Sequence, residues 1–192
     1  MKLRFFVLPL TLALTTIAAH AQGGLYFNPI VTRVSNSQAD SGPFAFLGQG
    51  NTSQIFGGVV LGGYYDVYKA PKFEVGLDLR DEIEHGNGAS LNNFLFGARI
   101  AAKPQSTFKP YAQIAIGDGR SKSQLSPIHA TKFEYVISGG IDRPLNKHVD
   151  WRVIEIGYGS VTTMSSYLYA GPVVIPAAKL VNFSTGFVFR IP

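Results

Sequence analysis

The sequence predicts an all-β chain: an eight-stranded antiparallel up-and-down transmembrane β-barrel. Three observations carry that prediction. The 192 residues are only 15% charged and include 21 Gly, 14 Phe and 9 Tyr, a mix in which the helix formers Ala, Leu, Glu and Lys do not dominate. Apolar and polar residues alternate with period two over many short runs, which is the pattern of a strand with two different faces. Eight such runs are separated by connections that alternate between short and long, as an even-numbered membrane barrel requires. The low charge excludes a disordered chain. The absence of cysteine excludes a disulfide scaffold and a zinc–thiolate site.

The first segment is set apart from the rest. Met1-Lys2-Leu3-Arg4 is basic, Phe5 to Ala18 is apolar and uncharged, and Ala19-His20-Ala21 is a small-x-small cleavage site. This reads as a secretory signal peptide over residues 1–21, cut before Gln22, with one domain over 22–192. The apolar run is shorter than the roughly 20 residues a spanning helix needs. Lys2 and Arg4 leave with the signal, so fifteen Lys+Arg face twelve Asp+Glu in the mature chain. That balance gives no ground for a nucleic-acid partner.

The strands follow in order. The first, 25–34, alternates but contains Pro29, which has no N–H for a ladder and opposes a place in a closed sheet unless a bulge accommodates it. The second, 54–68, carries an apolar stretch broken by glycine, Ile55 to Leu61. The third, 72–82, is the cleanest: Phe73, Val75, Leu77 and Leu79 alternate with Glu74, Gly76, Asp78 and Arg80. In the fourth, 91–102, the apolar residues are even-numbered. The fifth, 110–118, is opened by Lys109-Pro110-Tyr111-Ala112-Gln113. The sixth, 131–142, runs through Phe133-Glu134-Tyr135-Val136-Ile137-Ser138, the seventh, 150–160, through Trp151-Arg152-Val153-Ile154-Glu155, and the eighth, 179–190, through Val181-Asn182-Phe183-Ser184. About ten residues at ~3.3 Å rise, tilted near 40°, reach the ~25 Å of an outer-membrane apolar band. Long connections are expected at 35–53, 83–90, 119–130 and 161–178, on the outer side, with both termini on the other.

A soluble sandwich or lipocalin-like barrel also alternates, but it turns its apolar face inward. Here the polar face is rich in small residues such as Gly76, Gly97, Ser138, Gly157 and Ser184, which suit a crowded lumen. The opposite face carries Phe, Ile, Leu, Val and Tyr, which suit lipid. The polar face therefore predicts a structural lumen cluster of Glu74, Asp78, Arg99, Glu134 and Glu155, with Tyr64 helping to fill the axis. Pairing Glu82 with Leu91 across the 83–90 loop sets Gly76 opposite Gly97 and makes Glu74 and Arg99 a cross-strand ion pair. Tyr64, Tyr65, Tyr68, Tyr111 and Trp151, near the short turns, are expected to anchor the membrane interface.

Eight alternating strands, the Lys109–Gln113 strand opening, Trp151-Arg152-Val153-Ile154-Glu155-Ile156-Gly157-Tyr158 and the terminal strand Asn182 to Arg190 together resemble the small outer-membrane β-barrels of the OmpA/OmpX-like class. The resemblance implies insertion by the outer-membrane assembly machinery, which reads a last strand usually closed by an aromatic residue; this chain ends Phe189-Arg190-Ile191-Pro192 instead. It implies residence in the outer membrane, contact with its lipids including lipopolysaccharide, and no shared catalytic residues.

Chemistry-bearing motifs are sparse. The glycines at 57–63 and 117–119 lack the G-x-x-x-x-G-K-[ST] spacing that sets a lysine on a phosphate. His85, His129 and His148 share no metal-ligand spacing, so neither a metal nor a cofactor is expected. His85 with Ser90, or His129 with Ser126, is the place where a lipid-modifying hydrolase would show itself, by a histidine bonded to both a serine and a carboxylate. Lys69, Lys72, Lys103, Lys109, Arg143 and Lys147 fall at the short turns. Arg33, Arg120, Lys122, Lys132 and Lys179 fall near the outer rim, where cations suit the phosphates of lipopolysaccharide. The expected function is a structural or surface-interaction protein, not an enzyme, displaying four outer loops. The alternatives are a membrane-embedded lipid A deacylase or acyltransferase, or a narrow channel, although eight strands leave an interior filled by side chains.

Overall fold

The computed structural model describes residues 23–41, 44–103, 107–165 and 177–191; the 1–21 signal segment and its cleavage site lie outside them. Eight strands form a closed antiparallel barrel in which each pairs with its chain neighbours and β8 returns to β1. They are β1 Gly23–Ser35, β2 Ser53–Lys69, β3 Phe73–Gly86, β4 Ala89–Ala102, β5 Lys109–Lys122, β6 Ala130–Pro144, β7 Val149–Val161 and β8 Ala178–Ile191. Each covers its sequence-predicted counterpart, except that β3 begins at Phe73 and leaves out residue 72, and runs further, chiefly into the outer connections.

Cross-strand partners give the stagger. From Leu25 the line passes Gly63, Leu79, Phe96, Ile116, Tyr135, Ser160 and Lys179, and re-enters β1 at Ser35, ten residues from its start. A stagger of that size over eight strands tilts them by roughly 40° and narrows the interior until side chains fill it.

The faces are inverted relative to a soluble barrel. The outward rows are apolar and open, as at Phe94 (56% exposed), Phe133 (62%) and Ile137 (55%). The inward rows bury charge: Arg80, Arg99 and Arg152 are each 1–2% exposed. A surface of this kind loses nothing to lipid and would be insoluble in water.

Three expectations change. The 83–90 connection is not a long loop: β3 and β4 run on to Gly86 and Ala89 and join through Asn87 (φ 49°) and Gly88 (φ 73°). Positive φ at both central residues makes a type I′ turn, for which Asn-Gly is the preferred pair. The register shifts by two residues in consequence, so Glu82 faces Asn93, Gly76 faces Arg99 and Glu74 faces Ala101. The faces survive a two-residue shift, but the Glu74–Arg99 pair does not form. Finally, Pro29 keeps its place in β1. The β1–β8 ladder lacks pairs between Phe27–Phe187 and Ile30–Ser184, so the missing donor falls where the ladder is already open. A bulge in β7 between Arg152 and Glu155 lies beside the same stretch of β8.

Candidate functional site

The lumen is a stack of three tiers. At the short-turn end Lys109 donates to Glu74 at 2.8 Å and Arg190 pairs with Asp150 at 3.0 Å. Glu74, Lys109 and Arg190 border an open vestibule of about 460 Å³. Lys109, expected in a turn, is therefore a lumen residue.

The middle tier is an arginine–carboxylate network. Arg99 bonds Asp142 at 2.9 Å, and Arg152 joins Asp142 (3.0 Å) to Glu155 (3.3 Å). Arg80 bonds Glu155 at 2.8 Å and Asp78 at 3.1 Å, with Glu82 at 3.6 Å. Tyr26 and Gln113 also donate to Asp78, and Tyr111 to Glu155. The Tyr111 ring lies between two guanidinium groups, 4.4 Å from Arg99 and 4.8 Å from Arg152, and Arg99 also stacks on Tyr64 at 4.1 Å. Delocalised guanidinium groups suit both roles, since they are weakly hydrated and pair with carboxylates and ring faces at once. Tyr64 and Tyr111 are thus inward residues, 6% exposed each, not interface anchors; Tyr65 and Tyr68, at 37% and 58%, face outward, and so does Trp151. Next to glycine-rich neighbouring strands, the inward parity of residues 64 and 111 gives the large rings room.

The outer tier is acidic and then apolar. The buried Glu84 and Glu134 carboxylates make no hydrogen bond or ion pair among the described residues. Above them Phe46, Leu47 and Met164 fold in from the outer connections onto Phe56, Leu91, Leu95 and Leu180. Phe46 stacks on Phe56 at 5.0 Å. The Asp40 carboxylate accepts from the Leu47 amide, which fixes this plug. Among the described residues nine buried strand carboxylates share the lumen with four buried cations.

All five residues of the expected lumen cluster, Glu74, Asp78, Arg99, Glu134 and Glu155, are buried on inward rows. The structure joins Asp78 and Glu155 through Arg80, gives Arg99 to Asp142 and Glu74 to Lys109, and leaves Glu134 apart. Sequence reasoning omitted Arg80, Arg152 and Asp142; Arg80 and Asp142 share the parity of Asp78 and Gly140 and carried the same signal, whereas the β7 bulge between Arg152 and Glu155 reverses the alternation and hid Arg152. At the rim, Arg33 and Lys179 project outward on adjoining strands, one diagonal apart because Ser35 faces Lys179. Arg120 and Lys122 project outward from β5, while Lys132 is on an inward-facing position and half-buried.

His85 and Ser90 are directly opposed across β3–β4 on the outward face. Neither bonds the other, and the nearest carboxylate on that face of β3 is Asp81, four residues away. Ser126 is engaged in its own turn with Ile128, and His129 is exposed. No group of three His, Cys, Asp or Glu among the described residues has metal-ligand geometry.

The fold matches solved outer-membrane proteins. Neisserial surface protein A aligns with a TM-score of 0.56 at 12% identity over 87% of this chain and 96% of its own. Ail, the attachment invasion locus protein of Yersinia pestis, aligns at 0.52 and 10% identity over 88% and 98%, and it has also been solved with the heparin analogue sucrose octasulfate. The chain has the eight-stranded outer-membrane barrel fold of the OmpA/OmpX-like class. At these identities the likeness carries the fold alone. No family model and no curated protein matches the sequence.

Proposed function

We propose that this barrel is a non-catalytic outer-membrane protein with a structural or surface-interaction role, exported with residues 1–21 removed. It presents its outer connections and an outward ring of cations to lipopolysaccharide, with no open pore. The observation that carries this reading is the pairing of a lipid-suited wall with a lumen closed by its own charges and by the Phe46–Phe56 plug. A closed interior leaves the outer surface as the working part of the molecule. Arg33, Lys179, Arg120 and Lys122 lie where headgroup phosphates meet the wall, and charge-assisted contacts there favour an anionic leaflet. That Ail has been solved with a sulfated sugar supports an anion-binding use of such a surface.

The test is lipid retention. The folded protein is extracted in mild detergent and its bound lipopolysaccharide quantified. Replacing Arg33, Lys179, Arg120 and Lys122 together with Ser is expected to cut retention at least fivefold while leaving heat-modifiability intact. Unchanged retention overturns the reading. The opposed His85 and Ser90, although they do not bond each other, mark where a second reading, a lipid hydrolase, is tested. Ser90→Ala decides it: a changed lipid A mass profile in cells carrying that variant would establish catalysis.

A further inference from the structure

The outward rows are largely apolar along the middle of the strands, with acidic interruptions at Asp81 on β3 and Asp118 on β5, of which Asp81 is half-buried and Asp118 exposed. The outward residues of β3 run Phe73, Val75, Leu77, Leu79, Asp81, Ile83 and His85. Asp81 is half-buried and its cross-strand partners are Leu61 on β2 and Phe94 on β4. On β2 the outward row continues past Leu61 through Val59 and Gly57 to Ile55 before it comes opposite Arg33 on β1. Asp81 therefore stands inside the apolar wall, below the cationic rim. It makes no ion pair or hydrogen bond with any described residue. A carboxylate in such surroundings is expensive, and its retention points to a partner outside the chain.

Beside it the wall is concave. A groove of about 380 Å³ runs between Leu25, Leu61, Leu79 and Phe94, with Gly63 as its floor and Asp81 at one edge. A Cβ on Gly63 would stand 2.9 Å from the Leu25 side chain, so glycine keeps the groove open. Nearer the rim a second concavity of about 470 Å³ is lined by Arg33, Ser53, Gln54 and Ile55.

We propose that this groove seats one acyl chain of an amide-linked, hydroxylated, phosphate-bearing lipid, and that Asp81 accepts a hydrogen bond from the N–H or O–H of its linkage region. The chemistry selects the occupant. An ester-linked glycerophospholipid offers only acceptors where its chains begin, and these repel a carboxylate. An amide-linked hydroxyacyl chain, as in the lipid A of lipopolysaccharide, places donors at that depth and phosphates above it, toward Arg33. The inference rests on the lipid-contact reading above and adds the residue that reads the linkage.

Native mass spectrometry of the folded barrel with equimolar lipid A and phosphatidylglycerol measures the selection, because both lipids are anionic and only one carries linkage donors. The wild-type protein is expected to favour lipid A. Asp81→Leu should lower the bound ratio at least fivefold, with Asp81→Asn intermediate. Asp118→Leu removes an outward carboxylate on the far side of Phe94 and should leave the ratio unchanged. Arg33→Ser should weaken both lipids together without altering the ratio. A wild-type ratio in Asp81→Leu, or an equal fall in Asp118→Leu, overturns the proposal. Loss of all lipid dependence on the rim cations would instead overturn the lipid-contact reading on which it stands.

Discussion

Arg99 shows how the interior uses a single side chain. Its guanidinium bonds Asp142 and lies 4.1 Å and 4.4 Å from the Tyr64 and Tyr111 rings. Removing it leaves two rings facing a void and weakens the neutralisation of a buried carboxylate. Breaking a desolvated pair from one side costs about 3–5 kcal/mol. Arg99→Ala should therefore lower the urea midpoint well below that of Lys103→Ala, whose half-buried turn position, with no side-chain ion pair among the described residues, predicts a change within about 0.5 kcal/mol. Equal midpoints would show that water reaches the network. Glu134 gives the opposite sign. Its carboxyl group is fully buried and bonds nothing, so Glu134→Gln removes an uncompensated ionisable group at nearly constant volume. The variant should unfold at a higher urea concentration than wild type, by about 1 kcal/mol or more. A lower midpoint would mean that the carboxylate has a partner in the folded protein.

At the level of elements, the β3–β4 hairpin fixes which charges meet. Asn87 and Gly88 hold a two-residue turn, and that turn sets Gly76 opposite Arg99. Gly88→Val puts a branched residue at φ 73°, where its Cβ also meets the Gln124 side chain at 2.7 Å. The left-handed conformation alone costs roughly 1–2 kcal/mol for a residue with a Cβ. Refolding into detergent micelles should yield less folded band for Gly88→Val than for Gly50→Val. Gly50 also has positive φ, but it lies in an outer connection where a Cβ meets nothing within 4 Å. Equal yields would count against the turn as the determinant of register. In β1, Pro29 shows the converse case, an element that tolerates a missing donor because the β1–β8 ladder is open beside it.

For the whole molecule, closure makes conduction the sharpest test. The stagger of ten residues over eight strands, the arginine network and the Phe46–Phe56 plug fill the interior among the described residues, as an eight-stranded barrel of this stagger does. Planar-bilayer recordings of the folded barrel should show no stable porin-sized steps. Such steps would require a different strand number or an interior that empties. Mass spectrometry of the protein from outer-membrane fractions should find an N-terminus at Gln22; an intact Met1 terminus would contradict cleavage, and recovery in the soluble periplasm would contradict residence in that membrane.

The amino-acid sequence by itself determined the strands and their faces. Period-two alternation is a local property, so the inward parity of Glu74, Asp78, Arg99, Glu134 and Glu155 was readable without knowing any partner. Even the short turn was present as Asn87-Gly88, a hairpin signal that the polar stretch around it concealed. Only the tertiary structure decided who meets whom. A two-residue change of register preserves every face yet moves Glu74 from Arg99 to Lys109, and it brings Arg99 to Asp142 from a strand 43 residues away. Pairing across a closed lumen depends on stagger and closure, which belong to all eight strands at once. The same holds for the outer wall. Asp81 is one acidic letter in an alternating run, and it became a candidate lipid contact only when Leu61, Gly63 and Phe94 closed around it.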